Sequence, residues 1–198
     1  ETDIQVLCPM KKGVAGVINL NAVIRDRLNP KKDADDDVKC GEYTFRAGDK
    51  VMQTVNNYEQ EWYEETDGRI HPGRGVFNGD TGFIESIDRQ NMKFNLRFDD
   101  GKVADYSLGD IDQIIPAYAV SVHKSQGSEF RAVVVALSQG NYFIMTRNLL
   151  YTAVTRARDL VVIVGDRDTL SRMVRNNYTA KRYTLLTEFI SEAGIENE

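Results

Sequence analysis

The chain has 198 residues, enough for one domain with a large insertion or two small ones, and enough to bury a sizeable core. With 25 Lys and Arg against 30 Asp and Glu its formal net charge is −5, so a nucleic-acid surface has to be local rather than the global basic footprint of many DNA-binding domains. No apolar run approaches the ~20 residues that span a bilayer, the start ETDIQVLCPM has neither arm of a signal peptide, and Cys8 and Cys40 lack metal-ligand spacing; the expectation is a cytoplasmic protein with reduced thiols, no metal ligands and no membrane partner.

Residues 4–9 alternate and break at Pro9, which reads as a short strand ending in the loop MKKGVAG. Val17, Leu20, Val23, Ile24 and Leu28 then recur at helical spacing over residues 16–28. Residues 31–39, KKDADDDVK, have no apolar face and no calcium-loop spacing, so a solvated linker is expected. From Phe45 the texture changes to short alternating strands at 50–55, 81–87, 93–98 and 103–106, with Asp100–Gly101 as a hairpin signal; the spacing suggests a small antiparallel barrel. Between Tyr58 and Val76 the sequence is long and acidic. Trp62 and Tyr63 there are able to stack on bases, but Glu59, Glu61, Glu64 and Glu65 repel phosphates, and a mobile surface hairpin is the preferred reading.

Residues 118–137, YAVSVHKSQGSEFRAVVVAL, open in alternation, pass through a polar turn and close on an apolar β-branched run typical of a strand buried on both faces. Ser121 predicts an N-cap for a helix of one to two turns over 122–126, and Gly127 a left-handed terminator. His123, Lys124, Ser125 and Gln126 would then line the rim of a sheet, with Glu129 just past the turn. Taken alone, these residues fit an ordinary crossover with solvated polar groups equally well. Residues 146–165, TRNLLYTAVTRARDLVVIVG, predict a helix capped by Thr146 that runs into a buried strand at 160–164, with Arg156 and Arg158 as cations at the helix C-terminus. A short helix over 168–175 and a terminal one over 183–193, with Leu185, Leu186, Phe189 and Ile190 as its apolar stripe, complete the pattern.

The ordered pair HKSQGSEF and YTAVTRAR resembles motifs V and VI of superfamily 1 helicases, most closely the RecD-like DNA helicases, including the alpha subunit of exodeoxyribonuclease V. Pro9, Met10, Lys12, Gly13, Gly16, Leu20 and Asn21 match the motif IV pattern of that family, from which Lys11 departs. GDKVMQ, NNY and VFNGD, at 48–53, 56–58 and 76–80, match the approach to its inserted SH3-like barrel. The resemblance implies an α/β fold: a RecA-like parallel sheet with helices, P-loop NTPase-like but with no Walker A of its own, interrupted by a small SH3-like antiparallel β-barrel. Residues 1–45 and 114–198 would form the discontinuous second RecA-like domain, and 46–113 the barrel, with an acidic loop at 59–75.

By the same resemblance the chain is a C-terminal piece of an ATP-dependent helicase that moves on single-stranded DNA, in the 5′ to 3′ direction. ATP and Mg2+ would be held mainly by an N-terminal RecA-like domain of the same parent chain, and nuclease subunits join the implied partners. Arg156 would be the catalytic arginine finger, and Gly127 and Glu129 would complete the ATP-binding set, Glu129 accepting from ribose hydroxyls. His123, Lys124, Ser125, Lys12 and Asn57 would meet the sugar-phosphate track. A phosphate-cradling G-x-x-x-x-G-K-[S/T] does not occur, and the one Gly-Lys pair, Gly101–Lys102, sits at a hairpin; the isolated chain is therefore expected not to hydrolyse ATP. The rival reading is a non-enzymatic DNA-binding or protein-docking module built on the barrel. A dinucleotide-binding domain ranks far below, because GRGVFNG at 73–79 lacks the required spacing.

Overall fold

A computed structural model of the chain describes residues 4–33, 37–179 and 189. The elements run β1 (Ile4–Cys8), α1 (Val17–Leu28), β2 (Val38–Cys40), β3 (Tyr43–Phe45), β4 (Lys50–Gln53), β5 (Asn57–Thr66), β6 (Arg69–Val76), β7 (Thr81–Asp88), β8 (Lys93–Phe98), β9 (Val103–Ser107), β10 (Ile114–Pro116), β11 (Ala119–Ser121), β12 (Phe130–Ala136), α2 (Arg147–Val154), β13 (Ala157–Val164) and α3 (Arg167–Arg175).

Four strands form a parallel sheet in the order β11-β1-β12-β13. Its register sets Ile4 beside Ala132 and Leu7 beside Val135 on one flank of β1, and Cys8 beside Ser121 on the other. Val133 and Val135 are fully buried and pack with Leu149, Leu150 and Ala153 of α2 and Met173 of α3. On the opposite face Val17, Leu20 and Ile24 of α1 pack on Cys8, Ala119 and Ala136. Asn21 fastens that helix to the sheet: its amide donates to the Ala119 carbonyl at 2.7 Å and its oxygen accepts from the Ala119 N–H at 3.0 Å.

The second sheet is antiparallel, with seven strands in the order β10-β4-β7-β8-β9-β5-β6. Phe45, Val51, Ile84, Phe94, Leu96, Tyr106 and Ile114 fill its core. Gly101 turns the β8–β9 hairpin at φ +94°, which explains the glycine after Asp100.

A buried carboxylate joins the two sheets. Arg25 of α1 grips Asp49 with Nε and one NH2 nitrogen, each at 2.9 Å. Asn29 Nδ2 donates at 2.8 Å, the Arg46 N–H at 2.8 Å and the Tyr118 hydroxyl at 3.3 Å. A second carboxylate, Asp37, takes Arg25 at 3.1 Å, Arg46 at 2.8 Å and Lys31 at 3.3 Å. Burial works to raise the Asp37 pKa, but the bonds from Arg46 and Lys31 outweigh it and hold the group below the usual carboxylate range.

Several expectations need correction. Residues 122–127 make overlapping hydrogen-bonded turns rather than a regular helix: the Lys124 and Ser125 N–H groups reach the Ser121 carbonyl at 3.0 Å and 3.2 Å, but the Gln126 N–H goes to His123 at 3.3 Å while the Ser125 hydroxyl takes the Val122 carbonyl at 2.8 Å. Ser121 stands level with Cys8, whereas Phe130 precedes the level of Ile4, so residues 122–129 descend the length of the sheet, about 20 Å at the rise of a strand. The 160–164 strand is not buried: β13 is an edge strand, and Leu160 and Val164 are each 55% exposed. The preceding helix ends at Val154, which leaves Arg156 in the following turn and Arg158 inside β13. The 31–39 linker contributes β2, which pairs with β3. Residues 59–75 do form a hairpin, β5–β6, with a ladder irregularity between Asn57 and Glu61, so the acidic stretch is paired strand rather than loop; the terminal helix expected over 183–193 lies, apart from Phe189, outside the described residues.

Removing the Asp49 carboxylate leaves the largely buried Arg25 guanidinium with Asp37 as its one carboxylate among the described residues and takes an acceptor from Asn29, the Arg46 N–H and Tyr118. Asp49→Ala is expected to lower stability by about 3–5 kcal/mol, read by urea denaturation, and a loss below about 1 kcal/mol would remove Asp49 from this role. Because the folded pKa of Asp37 is depressed, its stabilisation is complete above the ordinary carboxylate pKa and disappears as pH falls through the lower folded value. The gap in urea midpoint between the parent and Asp37→Asn should therefore be widest near neutrality and close on acidification; a gap independent of pH contradicts the assignment.

Candidate nucleotide and nucleic-acid interfaces

The two ends of the parallel sheet carry different chemistry. At the amino end, Ala157 pairs with Phe130, and the Phe130 N–H donates to the Arg156 carbonyl at 2.9 Å. This fixes the turn after α2 against the close of the 122–129 connection. The half-buried Arg156 side chain donates from Nε to the Thr152 carbonyl at 3.3 Å and from NH1 to the Ser128 carbonyl at 3.1 Å. It has no carboxylate partner among the described residues. A guanidinium has five N–H donors, so Arg156 is oriented while most of its donors stay unspent. Neither Ser128 nor Thr152 stood out in the sequence, because both act on Arg156 through backbone carbonyls.

Arg158 has a different role from a helix-end cation. Its Nε donates to Glu129 at 3.1 Å, and both side chains are mostly exposed. Such a pair contributes little in water, so Glu129 can exchange it for another donor at small cost. Gly127 has φ +91°, and a Cβ there would meet nothing within 4 Å. The backbone angle, not a close approach within this chain, requires glycine. From the antiparallel sheet, the turn at 77–80 approaches the same loop: a Cβ on Gly79 would lie 3.3 Å from Ser128 Oγ.

Lys12, His123 and Lys124 are exposed at the carboxyl end. Lys12 follows β1 and the other two follow β11, and these strands are neighbours. Gly16 lets the Lys12 loop fold onto the start of α1, since a Cβ would meet the Lys12 carbonyl carbon at 2.5 Å. Ser125 is fully buried and its hydroxyl donates to the Val122 carbonyl at 2.8 Å, so it builds the turn instead of facing solvent. Asn57 lies in the other sheet and is likewise committed: its amide donates to Gln113 at 2.9 Å and its oxygen accepts from the Glu59 and Gln60 N–H groups.

A groove of about 980 Å³ is found in neither place. Glu59, Glu61, Asp105 and Asp110 line it beside Trp62 and Tyr63, a charge set unsuited to phosphates. Trp62 is committed too, with its indole N–H donating to the Gly75 carbonyl at 3.1 Å and Lys102 5.3 Å from its ring centroid. Lys102, the lysine of the one Gly-Lys pair, is bound to Asp100 at 2.6 Å. The residues present thus fit a nucleotide only in part: one oriented arginine and a glycine turn, without a phosphate cradle. Burial pushes the Cys8 thiol up to about 12, which rules it out as a thiolate nucleophile near neutral pH. Among the described residues no helix is long and apolar enough to cross a membrane.

Residues 20–98 match the family described as the ATP-dependent RecD-like DNA helicase SH3 domain, and residues 116–164 match the UvrD-like helicase C-terminal domain. The ATP-dependent RecD2 DNA helicase of Deinococcus radiodurans is 33% identical over 162 residues, covering 82% of this chain and 20% of that protein. The RecBCD enzyme subunit RecD of Mycolicibacterium smegmatis is 27% identical across 96% of this chain and 30% of its own length. The chain therefore spans between about a fifth and a third of these relatives. Among solved structures, a Bacteroides Pif1 helicase in complex with ADP-AlF3 and ssDNA aligns over 98% of this chain and 46% of its own, with TM-score 0.54 and 18% identity. Pif1 helicase from Candida albicans aligns over 98% and 50%, with TM-score 0.50 and 17% identity. These likenesses bear on the fold, a RecA-like parallel sheet with an antiparallel companion. By the two family matches and the relatives that share most of its length, the chain belongs to the RecD-like superfamily 1 DNA helicases.

Proposed function

We propose that this chain is the part of an ATP-dependent DNA helicase that presents an arginine to nucleotide at one end of its parallel sheet and holds single-stranded DNA at the other. One observation carries the reading: the connection 122–129 descends the whole sheet, beginning beside Lys12 with His123 and Lys124 and ending at Ser128, whose carbonyl holds Arg156. A shift of the DNA-side turn is thereby passed along a short, non-helical tether to the arginine.

ATP and Mg2+ belong mainly to an N-terminal RecA-like domain of the same parent protein, which supplies the phosphate cradle and the acidic metal ligand. Bound there, the nucleotide provides the phosphoryl group whose transfer drives movement. Arg156 donates to the γ-phosphate oxygens and neutralises charge that spreads over them during transfer. Glu129 leaves Arg158 to accept from the ribose hydroxyls, and Gly127 gives the loop the backbone angle it needs. Lys12, His123 and Lys124 contact the sugar-phosphate backbone without reading sequence. Ser125 and Asn57 act as positioning residues, since their side chains are spent on internal bonds. The discontinuous domain is assigned to 1–45 and 114–198 and the barrel to 46–113. Movement from 5′ to 3′ and assembly with nuclease subunits complete the proposal, the latter supported by the RecBCD naming of a relative.

In the full-length protein, Arg156→Ala should leave nucleotide binding largely intact and cut DNA-stimulated ATP turnover on the order of 10³-fold or more. Arg158→Ala should change turnover only modestly, because it removes an exposed partner of Glu129 and no donor to phosphate. Equal turnover in Arg156→Ala and the parent would overturn the arginine assignment.

The isolated chain should bind single strands weakly and with strong salt dependence. Lys124→Ala should weaken binding alike for different sequences and reduce the slope of log K against log salt by about 0.7 for the lost phosphate contact. A marked sequence preference in the same titration would instead favour a docking module on the barrel.

A further inference from the structure

The loop between β12 and α2 presents two large side chains to solvent: Tyr142 is 62% and Phe143 63% exposed. Both touch Tyr178, with ring centroids 6.3 Å and 4.9 Å away, and each other at 5.9 Å. Three clustered surface rings are an unusual use of residues that normally supply core. The loop is firmly tied. Asn141 accepts from the Phe143 N–H at 2.9 Å through its side chain, and from the Met145 N–H at 2.9 Å through its carbonyl. The buried Asn176 amide clamps the Tyr142 and Met145 carbonyls at 2.7 Å and 2.9 Å.

Its position suggests the occupant. The loop leaves the carboxyl end of β12, next to β1, and Gly140 sits so close to Met10 that a Cβ would lie 2.4 Å from the sulfur. Three neighbouring connections therefore line one edge: His123 and Lys124 after β11, Lys11 and Lys12 after β1, and the aromatic rings after β12. Lys11, Lys12, Lys124 and the exposed Arg147 at the start of α2 make no ion pair with a described residue. The acids at this edge, Asp166 and Asp168, lie beyond it at the start of α3 after β13, and Asp166 is occupied by Thr169.

We propose that Tyr142 and Phe143 are a base-stacking platform for single-stranded DNA, continuing the phosphate track of Lys12 and Lys124. The inference rests on the DNA-binding reading above and adds residues to it. Phosphates meet the unpaired cations while a base lies against the rings, a mode that tolerates any sequence. Beside Trp62 and Tyr63 the cations Arg74 and Lys102 are paired with Glu59, Glu61 and Asp100, which is why the platform is assigned here.

The test uses the whole chain and single-stranded oligonucleotides carrying 2-aminopurine, with a matched series bearing abasic sites. Tyr142→Leu/Phe143→Leu should lose about tenfold or more in affinity and abolish the 2-aminopurine quench, whereas Tyr63→Leu should match the parent. The parent should bind the abasic series more weakly than the ordinary series by a similar factor, a comparison that does not depend on any variant folding. Equal binding of ordinary and abasic strands by the parent would overturn the platform; if Lys124→Ala still weakens binding, the phosphate track survives alone. Absence of any single-strand binding by the parent would overturn both. Concentration-dependent dimerisation that the double variant abolishes would make the rings a self-association surface and overturn the proposal as well.

Discussion

The buried Asp49 carboxylate is the interaction on which the joint between the two sheets depends. A charge removed from water is tolerated only when its oxygens are fully occupied, and Asp49 is met by Arg25, Asn29, the Arg46 backbone and Tyr118. Those donors come from α1, from the approach to β4 and from the residue before β11. One carboxylate therefore fixes a helix, a turn of the antiparallel sheet and an edge of the parallel sheet at once. The tight turn at Gly48, with φ +85°, delivers Asp49 to this position, and a Cβ there would crowd the Asn29 amide at 3.2 Å. The GDK segment and the part of α1 that carries Arg25 both fall within the family match over residues 20–98.

The connection 122–129 depends in turn on that joint. Tyr118 holds the start of β11, and a strand of only three residues leaves the chain at the carboxyl end of the sheet with eight residues in which to reach its amino end. The segment takes overlapping turns as far as Ser128, tightened by the buried Ser125 hydroxyl, and enters β12 at Phe130. The tether is short and is bonded at both ends, to Ser121 at its start and to Arg156 at its close. In the proposed function this is the route by which DNA at one edge and nucleotide at the other influence each other.

The division of cations follows the same geometry. Arg158 faces Glu129 and Arg131 faces Asp159 across neighbouring strands, so each is spent on a solvent-screened pair. Arg156 lies one residue before β13, in a turn where the available acceptors are carbonyls, and it keeps donors to spare. Two arginines separated by one residue thus differ in chemistry because one is in a strand and the other is not.

Local information in the sequence determined a good deal: the strand at 4–8, the helix from Val17, the hairpin at Asp100–Gly101, the left-handed Gly127 and the paired strings that carry the family resemblance. Each rests on periodicity, capping or backbone angle within a few residues. Tertiary structure alone decided which strand was an edge. LVVIV reads as buried because β-branched runs usually lie between two partners, yet among the described residues β13 pairs only with β12, and nothing within the run records its place in the sheet order. The same holds for Ser125, whose hydroxyl turns inward, for Glu129, claimed by an arginine 29 residues later, and for Asn57, held by Gln113. Register and sheet order are set by contacts distant in sequence, and those contacts settle which polar groups remain free to meet a ligand.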